Sequence, residues 1–346
     1  MSPRTYEALE PGRGRAAAKP GRIPLRGWGD IAWRSWKETQ KDRLHIVAAG
    51  VTFYVLLALF PAMGAFVSLY GIFSDINQVE KQLNQLARLL PPGAVDLIGR
   101  EMVRLATAQH ASLSTAFIVG LLLALWSANS GMKALFDGLN IAYDESEKRG
   151  FLRLTVTTLG FTIGAIAFML VVSGAMVGGP LAITWLGLPL ADVWWLPLVW
   201  LTIFAVAVTL FSVVYRFGPS RQHARWRWVT WGGVFAALAW MGGSAAFSAY
   251  VSNFGHYDKT YGSLGAFVGF MIWLWFSIMV VLLGAELNSE IEHQTAVDTT
   301  TGAPLPMGLR GAEMADTLGR AAPDGKEPES LGWLRRLDRP THASGR

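Results

Sequence analysis

A chain of 346 residues that is 52% apolar and 16% charged, with 15 tryptophans and a mean hydropathy of +0.32, is too apolar for an ordinary soluble domain, in which about a quarter of residues carry charge. The composition points to a membrane protein, and zero cysteines exclude disulfides, thiolate metal sites and cysteine nucleophiles. The net charge of +5 is spread unevenly along the chain and reads as a topology signal before a nucleic-acid signal.

Residues 1–27, rich in Gly, Pro, Arg and Ala without periodicity, are expected to form a disordered basic tail. The first 46 residues hold ten Lys or Arg and no apolar signal-peptide core, so the first hydrophobic segment is expected to serve as the anchor. Over 28–43, Trp28, Ile31, Ala32, Trp33 and Trp36 gather on one broad side, with Arg34, Lys37, Lys41 and Arg43 around the rest. That pattern predicts an amphipathic helix lying in the headgroup layer, where indoles and basic side chains are both favoured.

A six-helix transmembrane domain is expected over 44–293. Its six hydrophobic segments are Val47 to Phe73, Leu113 to Trp126 running on to Glu145, Leu154 to Val177, Val193 to Tyr215, Val229 to Val251 and Leu264 to Leu287. Each approaches the roughly 20 residues that cross about 30 Å of hydrocarbon. The two tails and alternate loops carry 25 Lys or Arg against 5 on the other side, which predicts that both termini are cytoplasmic. The fold class is therefore an all-α integral membrane protein.

The loop between the first two segments repeats Ile76, Val79, Leu83, Leu86 and Leu90 at helical spacing. After Pro91, Pro92 and Gly93 come Val95, Ile98, Met102 and Leu105. An amphipathic helical hairpin in this first extracytoplasmic loop is expected, either packing on the helix ends or acting as a lid. Pro61 falls inside the first span, where it removes a backbone hydrogen bond. Gly160 and Gly164, Gly265 and Gly269, and the cluster Gly232, Gly233, Gly242 and Gly243 predict close packing of the third, fifth and sixth spans. Trp194 and Trp195 at one interface, and Trp226, Trp228 and Trp231 at the other, suit anchoring belts. Residues 294–346 lose periodicity and are expected to form a disordered cytoplasmic tail.

No histidine cluster, P-loop or nucleophile motif occurs, so no enzyme activity, catalytic residue, cofactor or metal site is expected. The spans are nearly free of ionisable residues, which disfavours a dedicated ion pump or channel. Glu286 lies near the cytoplasmic end of the last segment, where it is expected to reach water. The second segment stands out. Wound at about 100° per residue, Asn129, Lys133, Asp137, Asn140 and Asp144 share one stripe, Ser130 is adjacent, and Gly131 falls on a small-residue face. Counting about 1.5 Å per residue from Ser114, Asn129 lies about 22 Å in, while Asp137 to Asp144 reach the cytosol. Such a stripe suits a groove along which a lipid headgroup moves. Interhelical hydrogen bonding at Asn129 and Ser130, with a solvated Lys133 and Asp137 pair, is the packing alternative.

The segments AAGVTFYVLLALFPAM (48–63), LWSANSGMKALFDGLNIAYDE (125–145), YRFGPS (215–220) and YGSLGAFVGFMIWLWFSIMVVLLGAELNSEI (261–291) together resemble the YihY/BrkB family of bacterial membrane proteins, some once labelled ribonuclease BN. The resemblance covers roughly residues 30 to 293 and implies a six-helix protein of the bacterial inner membrane. It links the family to serum resistance and implies lipid or lipopolysaccharide-precursor traffic, with no agreed catalytic residues. The matching motifs mark Phe53, Tyr54, Pro61, Gly131, Tyr143, Tyr261, Gly262 and Glu286 as structural candidates beside the stripe. The expected function is transport or positioning of a lipid or other amphiphile. The alternative is a non-transporting scaffold that recruits partners or anionic lipids through basic tails, and least expected is a tRNA-processing ribonuclease, for which neither clustered ligands nor a basic face is visible. Membrane lipids are the expected partners, with a homo-oligomer left open and no nucleic acid.

Overall fold

The computed structural model describes residues 2–73, 110–167, 195–253 and 263–323. The helices are α1 (Pro3–Leu9), α2 (Leu25–Lys41), α3 (Leu44–Phe73), α4 (His110–Ala142), α5 (Phe151–Ala167), α6 (Trp195–Phe217), α7 (Trp226–Asn253), α8 (Ser263–His293) and α9 (Glu313–Asp316). Among the described residues the β structure is one isolated antiparallel bridge, Ala224 to Thr300. Five helices, α3, α4, α6, α7 and α8, are long and apolar enough to cross a membrane. The third expected span appears as α5, 17 described residues long. The rest of that segment, the extracytoplasmic hairpin, Trp194, Tyr261, Gly262 and residues 324–346 lie outside the described residues.

Helix α3 runs through Pro61 and packs along α4, α8 lies against α3 and α7, and α6 packs on α7. The buried core sits at one end of this row. Ile31, Leu44, Phe136, Leu139, Tyr143, Tyr215, Trp228, Leu282 and Ile291 are all fully enclosed there. Along the spans, by contrast, only 17% to 28% of residues are buried, so the helices present broad apolar faces toward lipid. Trp228 thus belongs to the core, while Trp226 and Trp231 keep the exposed, belt-like setting.

Small residues behave unequally. A β-carbon at Gly232 would overlap the carbonyl oxygen of Gly284, and one at Gly284 would overlap the Tyr215 hydroxyl, so α7 and α8 cross backbone to backbone. Among the described residues nothing lies within 4 Å of a β-carbon position at Gly160 or Gly164. The expected close packing of the third span through this pair is therefore corrected: α5 meets its neighbour through Thr158, Phe161 and Thr162 instead.

The two tails are the larger correction. Residues 2–23 and 294–323 are folded, and they interlock at the core end of the bundle. Arg15 is fully buried, donating to the carbonyls of Gln294 (3.2 Å) and Gly319 (2.8 Å). Ala296 donates to the Arg15 carbonyl at 2.8 Å, and the Thr295 hydroxyl to that of Ala17 at 2.8 Å. From α2, Arg34 pairs with Glu290 and donates to Gln294 Oε1 at 2.8 Å. Low apolar content misled the expectation of disorder because much of the ordering is done by guanidinium groups on backbone carbonyls, beside a few buried apolar residues such as Ala17, Ile23 and Met314. Helix α2 accordingly turns Asp30, Ile31 and Arg34 inward, and leaves Leu25 and Trp36 on its outer face.

Candidate functional site

The stripe on α4 divides into two parts. Its deep part faces α5: Lys133 Nζ donates to Thr155 Oγ1 at 2.9 Å and lies 4.9 Å from the Phe151 ring centroid. Two further threonines on the same side of α5, Thr158 and Thr162, are buried. Their hydroxyls donate back to carbonyls of their own helix, at 3.0 Å and 2.9 Å to Leu154 and Thr158. One turn deeper on α4 than Lys133, Asn129 is buried and its Oδ1 has no hydrogen-bond partner. Ser130 donates to the Trp126 carbonyl at 3.0 Å, and Gly131 packs on Tyr54 and Val55 of α3, each 3.5 Å from a β-carbon position. Asp137 is exposed. Phe53 and Tyr54 are exposed too, their ring centroids 5.7 Å apart.

The shallow part of the stripe is a helix terminus. Tyr143 follows the last helical residue, and Asp144 adopts φ +50° while donating to Ile141 O; Glu145 N then bonds Asn140 O at 2.8 Å. These paired bonds satisfy the last carbonyls of α4, with Asp144 in the left-handed position that glycine or asparagine usually fills. Asn140 is buried with both ends of its amide occupied: Oδ1 accepts from Ser220 N at 2.7 Å, and Nδ2 donates to Glu147 Oε2 at 3.0 Å. Glu147 also binds Arg149, whose Nη2 donates to the Gly218 carbonyl at 2.7 Å. Burial opposes the Glu147 charge, yet the bonds from Arg149 and Asn140 pull its pKa down to about 2. Asn140 thus fastens the YRFGPS turn to the end of α4 and lines no open groove.

Residues that the sequence reading passed over surround this turn. Tyr215 donates to the Val281 carbonyl at 2.9 Å. Arg221 is buried, pairs with Glu292 at 2.5 Å and stacks 4.3 Å over the Tyr143 ring. Burial works against the Arg221 charge, but Glu292 holds its pKa above the ordinary value, and burial pushes the Tyr143 phenol up. Asn288 bridges α8 to α7, accepting from Gly232 N at 2.7 Å and donating to Val229 O at 2.9 Å. The cue available in the sequence was the density of polar residues from Glu286 to Gln294 on a helix that is otherwise apolar.

Glu286 is also corrected. It does not reach water: it is 1% exposed, and neither carboxylate oxygen has a partner.

The model of the virulence factor BrkB family matches residues 35–306. The chain belongs to the BrkB family. Among BrkB-type relatives it is 30% identical over 250 residues to YfkH of Bacillus subtilis, which carries a provisional ribonuclease-like name; the match covers 70% of this chain and 88% of YfkH. A UPF0761 membrane protein of Haemophilus influenzae is 23% identical over 284 residues, 78% of this chain and 97% of the relative. One from Nitrosospira multiformis is 28% identical over 260 residues, 71% of this chain but 57% of the relative's length. No solved structure matches the chain. With its apolar helices, membership of the BrkB family makes this a multi-pass protein of the bacterial inner membrane.

Proposed function

We propose that this BrkB-family protein moves or positions a lipid or another amphiphile across or within the inner membrane, without transforming it chemically. In this reading α5 opens the third of six spans, and the interlocked tails face the cytoplasm. The observation that carries the proposal is the polar seam between α4 and α5. Asn129, with its unpartnered oxygen, and Lys133 lie on one side, while Thr155, Thr158 and Thr162 lie on the other. A polar atom in hydrocarbon needs a partner. Here Thr158 and Thr162 are satisfied within their own helix, so most of the seam is polar without being locked. The Lys133 to Thr155 bond crosses it, and one interhelical hydrogen bond in a membrane holds about 0.6–2 kcal/mol. A headgroup that offers a donor to Asn129 and an anion to Lys133 replaces that bond at little cost.

The test is movement of a headgroup-labelled lipid between leaflets of liposomes containing the purified protein. Asn129→Leu and Lys133→Met are expected to slow it severalfold while the protein is produced and folded as before. Equal rates in wild type and both variants would end the proposal. Asn140→Leu is the wrong variant for this purpose, since it unfastens the 215–220 turn.

A further inference from the structure

Helix α8 buries a carboxyl group that, among the described residues, no other side chain or backbone group answers. Glu286 is 1% exposed with both oxygens unpartnered, one turn beyond Leu282, where α3, α4 and α8 close around Gly138. The strongest charges acting on it are negative: Glu38 and Asp42 from α2, Asp144 from the end of α4, and Glu290 on its own helix. Two of these have cations of their own, Glu38 with Lys41 at 2.5 Å and Glu290 with Arg34. Arg221, stacked over Tyr143, is paired with Glu292, and Arg43 and His45 at the start of α3 are exposed.

The backbone adds to the same field. Helices α2 and α4 both bring their C-terminal ends here, with an acid within two residues of each end, Asp42 or Asp144. Helix C-termini carry about half a negative charge and ordinarily attract Lys or Arg. Burial, and next the charge of Asp144, push the Asp42 pKa up to about 6. Negative groups gathered in this way around a buried, unanswered carboxyl make a place that favours a positive charge. A single unanswered carboxylate matches one positive charge, and among the described residues no three His, Asp or Glu side chains are set to hold a metal ion together.

We propose that Glu286 is the carboxylate of a binding site for a singly charged cation, a proton or an alkali ion, reached from the core end of the bundle between the Asp42 and Asp144 turns. A carboxylate at the edge of the hydrocarbon that binds and releases such an ion is the usual device for drawing on an ion gradient. The site stands apart from the amphiphile seam, and its test reads binding alone.

The experiment uses the full chain in lipid nanodiscs. Thermal melting is followed by tryptophan fluorescence in sodium, potassium or lithium chloride against choline chloride at equal ionic strength, at about pH 6 and about pH 8. With an alkali ion as occupant, one salt raises the melting temperature above choline near pH 8, the effect shrinks near pH 6 through proton competition, and Glu286→Gln abolishes it. With a proton as occupant, the salts act alike, and an acid-induced infrared difference spectrum shows a carboxylic-acid carbonyl band that Glu286→Gln removes. Identical salt responses and identical infrared spectra in wild type and variant overturn the proposal. Should Glu286→Gln fail to fold, Asp144→Asn serves, because asparagine tolerates the left-handed turn. It is expected to weaken the midpoint for the cation by up to about tenfold, and an unchanged midpoint again overturns the site.

Discussion

Asn129 and Asn140 differ by three helical turns and by almost everything else. Removing the Asn140 amide strands the buried Ser220 N–H and takes one bond from Glu147, whose Oε2 keeps Arg149 Nη2, and a buried group left without a partner costs about 1–3 kcal/mol. Asn140→Leu is therefore expected to lower the melting temperature clearly in detergent, whereas Asn129→Leu, which deletes an unpartnered oxygen, leaves it equal or higher. Asp42 makes a pH-dependent counterpart. Its pKa is raised from 3.8 to about 6, so the folded state binds the extra proton between those values and loses that advantage as pH rises through about 6. Asp42→Asn is expected to stabilise the protein above about pH 6 and to make little difference near pH 4. Because the side chain is half-exposed, solvent screening keeps the gain to no more than about 1 kcal/mol, read as the difference between the two melting curves across pH. Helical spacing made the stripe from Asn129 to Asp144 legible in the sequence. It could not separate the two asparagines, because the partner that captures Asn140 comes from residue 220.

At the scale of the element, hydropathy and length were enough to read five of the spans, because a run of apolar residues long enough to cross hydrocarbon has few other uses. The pairing of those spans was not legible. A GxxxG spacing records that two small residues share a face and says nothing about what lies opposite, so Gly160 and Gly164 carried the same signal as Gly232. Gly160→Ala is expected to be neutral or to stabilise α5 by about 0.5–1 kcal/mol through helix propensity. Gly232→Ala must force apart the crossing of α7 and α8 and their Asn288 bridge, at a cost above about 2 kcal/mol. Thermal unfolding of the two variants side by side checks both expectations.

At the scale of the whole molecule the bundle and its cap follow different physics. Lipid-facing helices were legible from composition, while the folded tails were not, since their order comes from Arg13 pairing with Asp30 and from Arg15 and Arg34 reaching backbone and acids far along the chain. Arg15→Ala removes the donors to Gln294 and Gly319 and is expected to cost about 1.5–3 kcal/mol, with the 2–23 segment becoming sensitive to protease in the folded protein. Those engaged arginines are also withdrawn from any role as a free basic tail, leaving Arg4, Lys19, Arg22 and Arg26 at the surface. The clasp between Arg15 and Gln294 joins positions 279 residues apart. During synthesis, at about 5–20 residues per second, the amino-terminal segment waits on the order of tens of seconds for its partner to emerge. Every span lies between the two, so the clasp shuts only after the last helix has been delivered, and a chain cut short before residue 294 carries an Arg15 without either of its carbonyl partners.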